Sequence, residues 1–112
     1  NQHNVVEKDE TTQVGGNETM TIGANCTIQV GGKHTETITK DTVFTVTEGH
    51  YDTTVKAGTQ TTTVKGHITV TSQSGEYTLS AAQKITLKVG GSSIVMDTKS
   101  ITLISARIDL NP

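Results

Sequence analysis

A β-branched residue recurs at every eighth position along the first part of the chain: Val6, Val14, Ile22, Val30, Ile38 and Val46, with mostly polar residues between them. A strand alternates its faces, so the residues two and four before each of these share its side. Two before stand Thr12, Met20, Ile28, Glu36 and Phe44; four before stand Glu10, Glu18, Cys26, His34 and Thr42. Each octad therefore predicts one short strand with one or two apolar residues facing inward. Gly residues that follow the β-branched position (Gly15, Gly16, Gly23, Gly31, Gly32) would make the corner to the next strand. No window carries a sustained apolar stripe at helical spacing, so no helix is expected.

The octads are regular from 6 to 46, and the step then lengthens to nine from Val46 to Val55 and from Val55 to Val64. The extra residues fall near Glu48–His50 and Lys56–Gly58, where a Gly suits a bulge. Further on, the apolar pairs Ile68/Val70, Tyr77/Leu79, Ile85/Leu87, Ile94/Met96, Ile101/Leu103 and Ile108/Leu110 keep the strand-and-corner rhythm. From 85 to 112 the chain is more aliphatic. Nothing reads as a linker, so residues 1–112 are expected to form one continuous element.

Short strands joined by corners predict an all-β solenoid, in which three octads make a triangular turn. One chain could wind alone, or three chains could each supply every third layer; periodicity is the same for both. Composition favours three. Thr fills 23 of 112 positions and only 31% of residues are hydrophobic, so a lone chain would bury too little to be stable. Pooling three chains triples the apolar area along one axis. The expected fold is thus an intertwined homotrimeric triple-stranded β-helix, a triangular prism. With strands roughly 4.8 Å apart, fourteen octads make a rod on the order of 70 Å or longer.

Charge narrows the partners. The formal net charge is −2 with acids and bases interspersed, which leaves no basic stripe for nucleic acid and no polybasic membrane anchor. No apolar run is long enough to span a bilayer, and no signal peptide is present. The first residue is not Met and lies inside the repeat pattern, so the chain is expected to be a C-terminal piece of something longer. Cys26 is the only cysteine, which fits assembly in a reducing compartment.

The octads "VGGNETMT", "IGANCTIQ" and "VGGKHTET", with "KITLKVGGSSIVM" and "ARIDLN" near the end, resemble the C-terminal needle of VgrG proteins. These are spike proteins of the type VI secretion system, related to the cell-puncturing needle of contractile phage tails. The resemblance implies a trimeric needle that is assembled in the bacterial cytoplasm and injected through a target-cell membrane. It also implies a wider base outside these residues that joins Hcp-like inner-tube proteins, and a PAAR-type tip protein or effector at the distal end. The two nine-residue steps depart from the strict octad of such needles.

Chemistry is scarce. There is no HExxH, CxxC, GxSxG or Walker loop, no cofactor is expected, and Asp is too sparse for calcium-binding nonapeptides. Some phage needles hold an iron at the tip through a His-x-His pair, and His3, His34, His50 and His67 form none. Two other functions fit a β-solenoid. A tail fibre that binds or cleaves polysaccharide needs a placed carboxylate pair, which Glu36/Asp41 and Asp97/Asp109 do not obviously form. An ice-binding Thr array, for which "TQTTTV" and "TETIT" are candidates, would be broken by the nine-residue steps. The expectation is a non-enzymatic, membrane-puncturing spike that acts by rigidity.

Three groups of residues carry that expectation. Val14, Met20, Ile22, Cys26, Ile28, Val30, Ile38, Phe44, Val46, Val55 and Val64 form the trimer core, with Cys26 as a small buried hydrophobe. His34 and Glu36 form a polar layer in the lumen between apolar ones, hydrated or holding an ion. Ile101, Leu103, Ile108 and Leu110, within residues 100 to 112, dock the tip by strand addition.

Overall fold

The computed structural model describes residues 3–111; Pro112, the last residue of the expected docking segment, lies outside them. Its contacts divide the chain into two units, Asn1–Asp52 and Thr53–Pro112. No described residue is helical.

Within the first unit the chain bends at 7–8, 15–16, 23–24, 31–32, 39–40 and 47–49. Between these corners run straight segments at 9–14, 17–22, 25–30, 33–38 and 41–46, each six residues long. The second unit continues the pattern, with corners at 56–58, 65–66, 73–75 and 82–83 bounding runs at 59–64, 67–72 and 76–81, again six residues each. The nine-residue steps are therefore explained by the corners, which take three residues at 47–49 and 56–58 and leave the run unchanged. Gly49 has φ +97°, a value that residues with a Cβ rarely adopt, so it sets the first of these wider corners. Corners at 39–40 (Thr39, Lys40) and 82–83 (Ala82, Gln83) contain no Gly at all. Gly is common at the corners but not required to make one.

Regular strands occur only in the second unit: β1 (Lys84–Val89), β2 (Ser92–Asp97) and β3 (Ile101–Ile104), an antiparallel sheet in the order β1-β2-β3. This corrects one expectation. An intertwined triple-stranded β-helix was expected over residues 1–112, whereas in this segment the ladders join strands of one chain. The cause is local: "KITLKV" and "SSIVMD" are both rich in β-formers and are separated by Gly90-Gly91 alone. Gly90 has φ +54°, the positive value that the first central residue of a type II′ hairpin uses.

Asp97 closes the β2–β3 connection. Its N–H donates to the Ser100 carbonyl at 3.0 Å, and its Oδ1 accepts the N–H groups of Lys99 (2.9 Å) and Ser100 (2.8 Å). These bonds, the one from Lys99 foremost, hold the Asp97 carboxyl below its ordinary value. A depressed folded pKa adds stability above the unfolded value, and that stability is lost as pH falls through the folded one. Wild type should therefore melt higher than Asp97→Asn at pH 7, and the gap should shrink below about pH 4. Thermal melts of both proteins at pH 7 and pH 3 check this; a gap that does not change with pH would refute it.

No described apolar residue is buried, and the chain exposes 12,599 Å². A folded monomer of this mass exposes roughly 6,000 Å², about half as much. Outside the strands, Asp97–Ser100 is the only backbone–backbone hydrogen bond among the described residues. Residues 3–83 thus hold an extended, evenly cornered path with no ladder partner of their own. So much exposed apolar surface and unpaired extended backbone is consistent with an obligate oligomer.

Candidate functional site

Because every run has six residues, each position in it has a fixed side. Positions two, four and six form one face: Glu10, Thr12 and Val14 in the run 9–14, Cys26, Ile28 and Val30 in 25–30, Thr42, Phe44 and Val46 in 41–46. In β1 the same positions are Ile85, Leu87 and Val89. There the register shows what the face is. Ile85 pairs with Met96 and Met96 with Ile101, while Leu87 pairs with Ile94 and Ile94 with Leu103. These two apolar rungs lie on one side of the sheet; the other side carries Lys84, Thr86 and Lys88 opposite Asp97, Val95 and Ser93.

In the octads, position six is also partly covered by its own corner. Val14, Ile22 and Val30 keep 46, 46 and 47% of their exposure, against 76% and 80% for Met20 and Ile28 at position four. At the corner 56–58, a methyl group on Gly58 would lie 3.9 Å from Val55 Cγ1, so that side chain already rests against the bend. The β-branched residue is partly covered by its own chain, and the residue at position four is left more open. At the wider corner 47–49 the face turns inward visibly: the rings of Phe44 and Tyr51 meet with centroids 4.9 Å apart, tilted by 56°. Tyr51 is position two of the next run, 50–55. Counting backward from each Val overlooked this contact, and counting forward from the end of each corner would have found it.

The expected core residues Val14, Met20, Ile22, Cys26, Ile28, Val30, Ile38, Phe44, Val46, Val55 and Val64 all fall on this face and are all exposed in the single chain. His34 and Glu36 fall on it too, and His34 Nε2 lies 3.2 Å from Glu36 Oε1. Of the four docking residues, Leu103, Ile108 and Leu110 line an open apolar groove of about 470 Å³ together with Leu87, Val89 and Ile94. Ile101 lies on the other rung, beside Met96. Arg107 Nε donates to Asp109 Oδ1 at 2.9 Å on an exposed rim, and Ser92 and Ser105 are joined through their hydroxyls at 2.8 Å.

Among the described residues no three His, Cys, Asp or Glu of one chain converge as metal ligands, and no helix is long and apolar enough to cross a membrane. What the chain does present is a regularly repeated, exposed face.

Among known families, the Gp5 C-terminal repeat (3 copies), a β-helix repeat of a phage tail spike, matches residues 8–31. Those 24 residues (31 − 8 + 1) are three octads, and they hold the corners at 15–16 and 23–24 with the runs between. No curated protein and no solved structure matches the chain. The matched segment is thus similar to a spike repeat, and the chain's regular strands, β1 to β3, are its only regular secondary structure among the described residues.

Proposed function

We infer that three copies of this chain wind into a rigid needle that punctures membranes in a type VI secretion or phage-tail-like injection apparatus. The observation that carries this is the combination of a spike-repeat match over three octads with a run of extended backbone, residues 3–83, that finds no ladder partner within its own chain. The finer VgrG reading rests on the Val-Gly octads and on "KITLKVGGSSIVM" and "ARIDLN". In that reading the needle is assembled in the cytoplasm, is joined through a base outside these residues to Hcp-like tube proteins, and is driven into a target cell.

The distal sheet offers an apolar face of its own to the other copies. Three copies of β1–β3 would turn their apolar rungs toward one another and bury Ile101 and Leu103 as core. Ile108 and Leu110, beyond β3, are then left at the end to receive a PAAR-type tip or an effector. The solution mass tests the proposal most directly. Light scattering should give about three times 11.9 kDa; a stable monomer would overturn it.

A further inference from the structure

The face formed by positions two, four and six contains no Lys or Arg in any run from 9–14 to 84–89. Its position-four residues are Thr12, Met20, Ile28, Glu36, Phe44, Thr53, Thr62, Val70, Leu79 and Leu87, so Glu36 is the one charged residue among them. Its one imidazole, His34, stands two positions away in the same run. Glu10 and Glu18 also lie on this face, at position two, but Glu36 alone shares its run with the imidazole, and the two side chains touch.

Resting on the trimeric reading above, the geometry points to a divalent transition-metal site formed by three copies of His34 and Glu36 on the needle axis. Two ligands bound to one ion at about 2.0–2.2 Å are roughly 2.8–3.6 Å apart for octahedral or tetrahedral angles. The observed separation of His34 Nε2 and Glu36 Oε1, 3.2 Å, is an ordinary ion-pair distance that falls within this range, so one ion could take both without the side chains moving far. No single chain completes the site; three supply up to six donors. The surroundings make an ion favourable. In sequence the run is flanked by Cys26, Ile28 and Val30 on one side and Thr42, Phe44 and Val46 on the other, so a layer here lies between apolar neighbours. Three carboxylates brought together there carry up to three negative charges, and neutral imidazoles do not offset them. A divalent cation does. A mixed imidazole and carboxylate donor set suits zinc, nickel or cobalt; calcium and magnesium take oxygen ligands.

The test uses the chain stripped with a chelator, in a Cys26→Ser background so that thiolate cannot capture metal, and dialysed against zinc or nickel chloride. The expected result is a trimer that takes up about one ion per three chains and melts higher with metal than with chelator. The paired variant His34→Phe with Glu36→Leu should still form a trimer, since replacing a buried charged pair by apolar residues is tolerated. Its uptake should fall at least tenfold, with His3, His50 and His67 left as controls for incidental binding. A trimer without uptake, or uptake unchanged in the paired variant, overturns the site and leaves the needle intact. A monomer overturns both.

Discussion

Val30→Asp should leave the chain at 11.9 kDa in solution, while Gln29→Asp, one residue away, should still assemble. The two positions end the same run and differ in side: Val30 is position six and Gln29 position five. In a trimer each substitution enters three times in one layer. Losing three buried Val side chains costs about 1.5–3 kcal/mol each. Placing three carboxylates in an apolar layer adds several kcal/mol per ion unless they protonate. The sum is on the order of 10 kcal/mol or more per trimer, about seven decades in the assembly constant. The outward Asp at 29 faces water and should change stability by no more than about 0.5 kcal/mol. Light scattering on both variants decides the matter. Equal masses would mean that the alternate face is not the assembly face.

Much of this was legible in the sequence because the periods are short and strict. The octads from Val6 to Val46 marked the corners, and the two nine-residue steps pointed to the residues around Gly49 and Gly58 where the chain takes a wider bend. That His34 and Glu36 share a side followed from alternation, and their contact agrees with it. The distal sheet was not legible. Gly90-Gly91 reads like Gly15-Gly16 and Gly31-Gly32, yet only the first closes a hairpin. What differs lies outside the glycines. Residues 84–89 and 92–97 are each apolar enough to serve as the other's ladder partner, whereas "NETMTI" and "KHTETI" offer a neighbour little but Thr and charge. The apolar pairs have nearly the same spacing in either case, so periodicity could not separate them. Nor does a period reveal how many chains share it, because one chain and three place the same side chains on the same face.

The constant six-residue run makes the sharpest claim about how the chain is built. Deleting Glu48 should be tolerated, and deleting Thr45 should not. Glu48 lies in the three-residue corner 47–49; without it the corner has two residues, like those at 39–40 and 65–66, and both neighbouring runs keep six. The Phe44–Tyr51 ring contact would shift, at a cost of about 1 kcal/mol per chain. Thr45 lies inside the run 41–46. Its loss cuts the run to five and moves every residue before the gap to the opposite side relative to Val46, because the side-chain period is two. With Val46 held on the inner face, Val43 and Asp41 turn inward, and Phe44 and Thr42 turn out to water. Three exposed Phe and three inward carboxylates per trimer again amount to about 10 kcal/mol. The run also shortens by about 3.3 Å, so every later corner meets its neighbours out of step. Mass and melting temperature of the two deletions give the answer. The Glu48 deletion should remain a trimer that melts within several degrees of wild type, and the Thr45 deletion should fail to assemble. If both assemble equally well, the six-residue run is not the unit of construction, and the corners rather than the strands would have to set the register.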